Sequence, residues 1–408
     1  MRIKMNNKLP LAGVKVLDLG WWVVWPLAAR LLAEFGAEVV RVEYSANMPE
    51  RRLGPFKDDI QGPTRGTWWN KCNATKNGIT LNFQKTGALQ VAKRLVAWAD
   101  VVGEGYTPGV VNRWGLDYEA CREINPDIIY VSSSGQGQTG PDARAPSLGH
   151  AVLSLSAMSH FTGWPDRAPV GPYGAWTDFY VPYCVVLVVL AALVRRRKTG
   201  KGVHIDMANT EAALYGTFEA ATIDYLVNGR EQTRQGNRHP HAAPHSTYSC
   251  QGEERWCSIA VFTDEEWRGF CQAIGEPQWT SDPKFSTMTG RKRNEEKLDR
   301  LVKKWTKNFT AEEVMTRMQA HGVAAGVVEN LKDLYDDTQL KHRKHFFWLE
   351  YPDGGHMAHS RHAFKFSKTA PQPRPAPAPG EHNEYVLKNL LGMSDDEIIE
   401  LVMSGAFE

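Results

Sequence analysis

Cysteine is scarce in this chain of 408 residues. Its six cysteines (72, 121, 184, 250, 257 and 271) include no Cys-x-x-Cys pair. That excludes a disulfide-stapled scaffold and a cysteine zinc site, and the cysteines read as reduced thiols. Excess charge of one sign is lacking too. The formal net charge of +2 points to neither nucleic acid nor an anionic membrane surface as partner. The longest apolar run, 180–194, is shorter than the roughly 20 residues needed to span a bilayer, and Pro182 and Cys184 interrupt its start. A buried helix is expected there, not a membrane span. Residues 1–9 carry Lys and Arg with no apolar run behind them, so no signal peptide is expected and the protein reads as cytoplasmic. No internal repeat is found. What is present, 42% hydrophobic and 23% charged residues, fits a globular protein with two or three domains at roughly 150 residues each.

The first third alternates strand and helix patterns. A β-rich run at 14–18 ends at Gly20, and a helix is predicted over 26–35 with Pro26 as its first residue and Gly36 past its end. A strand follows at 39–43, which makes a right-handed parallel β-α-β unit. The polar, Gly/Pro-marked stretch 48–69 reads as a loop. Strands are predicted at 79–82, 100–102 and 128–131, with helices at 86–99 and 115–123. Residues 135–140 spell Gly-x-Gly-x-x-Gly behind a strand. Pro141 and Pro146 follow where a helix should open, and the acid expected about 20 residues on is missing, so a dinucleotide fingerprint is rejected. A lid or acyl-binding loop fits the segment better.

Beyond a helical stretch at 210–228 the texture changes to short helices, few strands and many charges, and 225–328 reads as a second domain. A strand at 256–262 and helices at 265–274, 294–305 and 311–321 are predicted within it. His239, His241 and His245 lie in a polar segment with no helix to align them, so no metal is assigned. A hairpin with strands 346–351 and 361–366 is expected around Asp353-Gly-Gly355. The Pro-rich run 369–380 reads as an extended connector, followed by helices at 385–391 and 394–404.

The chemistry centres on 170–209, VGPYGAWTDFYVPYCVVLVVLAALVRRRKTGKGVHIDMAN. Asp178 is the only acid between Asp166 and Asp206. It lies between a Gly-rich turn and the apolar run. Partial desolvation there makes a carboxylate a better nucleophile or base. An Asp before an apolar run is equally a standard helix N-cap, and spacing leaves both readings open. The basic cluster 195–198 suits a helix C-terminus. Tryptophans cluster at 21, 22 and 25 and again at 68 and 69. They either pack the core or line a pocket for a bulky ligand.

Taken together and in order, several segments resemble the class III CoA-transferases, the formyl-CoA and carnitine CoA-transferase group. They are LAGVKVLDLG near the start, FGAEVVRVE at 35–43, the run from KNGITLNF to SSSGQG at 76–137, ALVRRRKTGKGVHIDMANTEA at 192–212 and GEHNEYVLKNLLGMSDDEI at 380–398. The resemblance covers nearly the whole chain. It implies an α/β fold with a Rossmann-like large domain built from both chain ends, a smaller α+β domain and an interlocked dimer. Residues 1–224 would start the large domain, 225–328 form the small one, and 329–408 return to the first. CoA and acyl-CoA would be substrates, with no permanently bound cofactor. The family's catalytic aspartate falls on Asp178. Its CoA-contacting positions fall on Val23, Val24 and Tyr44, on Leu81, Asn82, Phe83 and Gln84, on Gly105, Tyr106 and Thr107, and on Arg113. Arg113 is the strongest phosphate candidate, since a guanidinium forks onto phosphate oxygens.

Departures from formyl-CoA transferase point to a different acyl pocket. That enzyme has His and Gln where Trp21 and Val23 stand here, and Gly where Trp25 stands. Its usual Asn is Gly105, its usual acid is Gly149, and its Gly-rich covering loop has no counterpart. Trp21, Trp25, Gly137 and His150 then become pocket candidates for a bulky, aromatic or branched carboxylic acid, as in the benzylsuccinate and aryl-propanoate CoA-transferases. Some of those pair homologous subunits, so a hetero-oligomer stands beside a homodimer. Two rival readings follow. One is an α-methylacyl-CoA racemase that uses His150 and Asp178 as its two bases, although Ala151 stands where the racemases have an acid. The other is a non-catalytic homologous subunit.

Overall fold

The computed structural model describes residues 9–44, 48–172, 174–217 and 219–407. Residues 1–8, where the signal-peptide question falls, lie outside the described residues. The chain divides into two compact units. One comprises residues 1–159, 171–231 and 344–408; the other comprises 160–170 and 232–343.

The first unit is built on six parallel strands: β1 (Lys15–Asp18), β2 (Glu38–Tyr44), β3 (Asn77–Leu81), β4 (Val101–Glu104), β5 (Ile129–Ser134) and β6 (Val203–Ala208), in the order 3-2-1-4-5-6. β1 to β5 are buried along almost their whole length because helices cover both faces of the sheet. One face packs Leu17, Val40, Ile79 and Val102 against the helix Thr86–Trp98 and the C-terminal residues Val386, Leu387 and Leu401. The other packs Val16, Val39, Val101 and Ile129 against the helices Val24–Glu34 and Trp176–Thr199.

Several expected elements shift. The helix after β1 starts at Val24, so Pro26 is its third residue. Within the expected loop 48–69 a helix begins, Thr67–Asn73, which buries Trp69. The helix expected over 115–123 is Tyr118–Ile124, capped by the Asp117 carboxylate, with a single tight turn Val111–Trp114 ahead of it. The apolar run 180–194 belongs to a helix of 24 residues, Trp176–Thr199, with Pro182 inside it. By length and composition this helix passes for a membrane span. It is also not wholly buried. Val181, Val185, Val189 and Leu193 face the core, whereas Tyr183, Leu187 and Val194 are exposed.

The hairpin pairs β10 (Phe346–Tyr351) with β11 (Gly355–Ser360), so its second strand is 355–360 instead of 361–366. The apolar alternation at 364–366 serves another purpose: Phe364 and Phe366 pack on Phe35, with ring centroids 5.5 and 5.4 Å away. The Pro-rich run is extended and held at each step. Arg374 N–H donates to Thr75 Oγ1, and the Pro377 carbonyl accepts from Arg51 and from the Trp69 indole. His382 and Asn383 then cover the outer edge of β3, accepting from the Gly78 and Thr80 amides.

The second unit has the antiparallel sheet β7 (His245–Ser249), β8 (Trp256–Ala260) and β9 (Ala324–Val327). Three helices, Asp264–Ala273, Glu295–Thr306 and Ala311–Ala320, pack a core around Phe270, Phe285, Leu298 and Met318. The His239 ring lies 6.0 Å from His241 and 5.3 Å from His245. Among the described residues no group of three or more His, Cys, Asp or Glu is placed to hold a metal ion.

Candidate functional site

In a sheet ordered 3-2-1-4-5-6 the chain reverses direction of travel between β1 and β4. The crevice beyond the strand ends at that point is where open α/β sheets place ligands. A cavity lies there, walled by residues 21–25 after β1, 105–107 after β4, 133–135 at the end of β5, and 147–149. Asp178 and Asn209 complete it.

Asp178 is on the first turn of the helix Trp176–Thr199, whose N-terminal residue before the helix is Ala175. No side chain caps this helix, so Asp178 is not its N-cap. Its amide instead bonds to the Ala175 carbonyl at 2.9 Å. Pro182, four residues on, has no N–H to give the Asp178 carbonyl, which loosens the turn that carries the carboxylate. Burial pushes the Asp178 carboxyl up to about 6, and the charge of His150 opposes the shift. A carboxylate that retains its proton to that pH is under-solvated and nucleophilic above it.

The walls are built with little slack. A β-carbon on Gly103 would stand 2.0 Å from the Trp25 ring, so glycine at 103 is what lets this fully buried indole lie on β4. A β-carbon on Gly135 would meet that of Ser147 at 2.1 Å. Trp22 has φ of +60°, a left-handed conformation that costs a bulky residue about 1–2 kcal/mol. Its N–H donates to Glu50 Oε1 at 2.6 Å. On the opposite wall the Tyr106 N–H donates to Glu104 Oε2 at 2.7 Å. Burial pushes the Glu104 carboxyl up to about 7.

Of the residues singled out from sequence, Trp21, Trp22, Val23, Val24, Trp25, Gly105, Tyr106, Thr107, Gly135, Gly149 and Asp178 line this one cavity. The other candidate site residues stand apart from its lining. Tyr44 and Leu81 are register partners at the ends of β2 and β3. Asn82 donates its N–H to the Ala406 carbonyl, and its side chain accepts from the Gln84 N–H. A row of rings joins this group to the cavity: Phe83 on Trp114 (4.7 Å), Trp114 on Tyr106 (5.3 Å), Tyr106 on Trp21 (5.6 Å). Arg113 is exposed in the turn before Trp114. Gly137 has φ of +84° and sits over Asp206, whose carboxylate accepts the Gln138 N–H at 3.0 Å. No helix opens in 135–140. His150 is exposed on the short helix Gly149–Leu155, one residue past the wall.

The residue reading missed Ser133, Ser147, Leu148 and Asn209. Ser133 Oγ donates to Asn209 Oδ1 at 3.1 Å, behind the cavity. Gly149 had stood out only as a missing acid, yet it is the close neighbour of Asp178.

The model of CoA-transferase family III matches residues 11–383. The chain is 30% identical over 395 residues to the succinyl-CoA–D-citramalate CoA-transferase of Chloroflexus aurantiacus, covering 96% of each chain. It is 30% identical over 402 residues to the beta subunit of the succinyl-CoA–L-malate CoA-transferase of the same organism, covering 97% of this chain and 98% of that one. Among solved structures, a CAIB/BAIF family protein from Brucella suis superposes with a TM-score of 0.86 at 30% identity, covering 94% of this chain and 99% of the other.

Proposed function

Because this chain belongs to CoA-transferase family III, we propose that it moves CoA from an acyl-CoA donor such as succinyl-CoA to a bulky, aromatic or branched carboxylic acid. The observation that carries the reading is the setting of Asp178, the one acid lining a cavity walled by Trp21, Trp22 and Trp25. Among the described residues lining that cavity there is no Lys or Arg.

In the proposed cycle the Asp178 carboxylate attacks the donor thioester carbonyl, expels CoA thiolate and forms a mixed anhydride. The thiolate attacks the aspartyl carbonyl, forms an aspartyl-CoA thioester and releases the donor acid as carboxylate. The acceptor carboxylate attacks that thioester, and the freed thiolate then takes the acceptor carbonyl. Acyl-CoA leaves and Asp178 is restored, with no net proton change. Covalent catalysis divides one difficult exchange into easier steps. The family's CoA-contacting roles for Val23, Val24, Gly105, Tyr106, Thr107 and Arg113 belong to the same proposal.

The exposed apolar face of Tyr183, Leu187 and Leu190, together with exposed Tyr225 and Leu226, supports a dimer. A homodimer is the simpler form. The relative's being one named subunit keeps a pair of homologous chains as the alternative.

A racemase remains the second reading, because the charge of His150 acts on Asp178. Incubation with succinyl-CoA, trapping with hydroxylamine and mass spectrometry test the first reading. A modification at Asp178 is expected. Near-normal CoA exchange by Asp178→Ala overturns it, and deuterium entering the acyl α-carbon favours the racemase.

A further inference from the structure

Behind the tryptophan wall lies a buried ionic cluster that lines no part of the cavity. Glu50 is 4% exposed. One of its carboxylate oxygens accepts the Trp22 N–H at 2.6 Å, and the other accepts Arg41 Nη2 at 2.9 Å. Arg41 Nη1 donates to Asp18 Oδ1 at 3.1 Å and to the Gly20 carbonyl at 2.5 Å. Asp18 in turn accepts the Gly20 N–H at 2.8 Å and Lys76 Nζ at 2.6 Å. Asp18, the Gly20 carbonyl and Glu50 thus meet at one guanidinium on β2, and Glu50 is the member of the cluster bonded to Trp22 in the cavity wall.

Trp22 is where that reach matters. Its backbone holds φ of +60°, and its ring sets edge-on against Trp21 with centroids 5.7 Å apart. Trp21 in turn lies tilted against the Tyr106 ring, another residue of the lining. A left-handed Trp persists only where its surroundings over-determine it. Here the determinant is a charge-assisted hydrogen bond from its own amide.

We propose that Glu50 is a positioning residue for acceptor specificity. Through the Trp22 amide it holds the 21–25 wall at the setting that admits a bulky acid and gives a small one no purchase. The inference rests on the acceptor class proposed above. It adds to that class a residue, remote from the cavity, that sets it.

The test compares kcat/KM for 3-phenylpropanoate with that for acetate, succinyl-CoA being the donor. In Glu50→Gln the one remaining oxygen stays with the Arg41 guanidinium, the amide nitrogen faces the Trp22 N–H, and the clamp opens. In Glu50→Asp the charge stays but the reach to Trp22 shortens. Both are expected to lower the ratio at least tenfold, through KM for 3-phenylpropanoate, with KM for succinyl-CoA held within about twofold. Glu43→Gln is the control, since Glu43 is as buried and pairs with Arg51 instead. It should leave the ratio unchanged. Trp22→Gly should lower the ratio alone, and combining it with Glu50→Asp should lower it no further. An unchanged ratio in both Glu50 variants, or additive losses in the double variant, overturns the proposal. If the unaltered protein transfers CoA to neither acid, the acceptor reading has failed. The clamp is then read by hydrogen exchange of the 19–25 amides, expected to be at least tenfold faster in Glu50→Asp than in Glu43→Gln. Equal exchange in the two overturns it independently of activity, including where Glu50→Gln does not fold.

Discussion

A β-carbon on Gly149 would stand 2.9 Å from Oδ2 of Asp178 and 2.2 Å from the β-carbon of Ala175. The carboxylate is therefore positioned by the lack of a side chain opposite it. Gly149→Ala must push the first turn of the Asp178 helix aside. The overpacking costs about 1–3 kcal/mol of stability, and a shift of that turn by an ångström lowers kcat about a hundredfold. Initial rates and the urea midpoint measure the two effects. A fully active Gly149→Ala shows that the carboxylate does not work from this position.

In the proposed cycle the Asp178 carboxyl, raised to about 6, must be ionised to attack. The rate should therefore rise about tenfold per pH unit below 6 and level off above 7. Removing the charge of His150, as in His150→Ala, raises that carboxyl further and moves the rising limb to higher pH. The same shift has a stability sign. A carboxyl raised above its ordinary value favours the folded state while protonated and loses that contribution as pH climbs through 6. Asp178→Asn should thus be more stable than the parent by about 1–3 kcal/mol at pH 8 and no more stable at pH 3. Urea unfolding at the two pH values reads it.

The Trp25 ring lies against Gly103, with a β-carbon there falling 2.0–2.4 Å from three ring atoms. Gly103→Ala should cost about 3 kcal/mol or more, and Trp25→Leu in the same chain should restore part of it. Thermal unfolding of the single and double variants gives the coupling.

Trp69 donates its indole N–H to the Pro377 carbonyl at 3.2 Å, while Arg51 stacks on the ring at 3.8 Å and shares that carbonyl. Trp69→Phe removes one of the two donors and leaves a void where the larger indole was fully buried. The expected loss is about 2–4 kcal/mol with transfer rates unchanged. A large loss of activity would instead place the connector in the working site.

The parallel strands were legible from short β-branched runs such as Val39, Val40 and Val42, although the buried Arg41 and Glu43 interrupt the same strand. Asp178 was legible as a lone acid before an apolar run. Its place on the helix was not, since N-cap and first-turn positions differ by one or two residues and spacing does not resolve that. Ser133, Ser147 and Asn209 carry no local signature. They meet at the cavity only because β4, β5 and β6 are neighbours in the sheet. Glu50 was hidden in a segment read as a polar loop, where a buried acid looks like a solvated one. The hairpin's second strand was misplaced because the Phe364 and Phe366 alternation answers to Phe35, not to a strand partner.

The closure of β3 bears on how the chain is made. The amides of Gly78 and Thr80 find their acceptors on His382 and Asn383, some 300 positions later. The face of the sheet behind them is completed by Val386, Leu387 and Leu401. A ribosome that adds about 5–20 residues per second leaves that strand edge and apolar face open for tens of seconds. During synthesis the first 370 residues are therefore an unfinished body with an adhesive rim. Contacts of such long sequence separation also make spontaneous refolding slow, so this protein's yield in a cell depends on what shields the rim until the tail arrives.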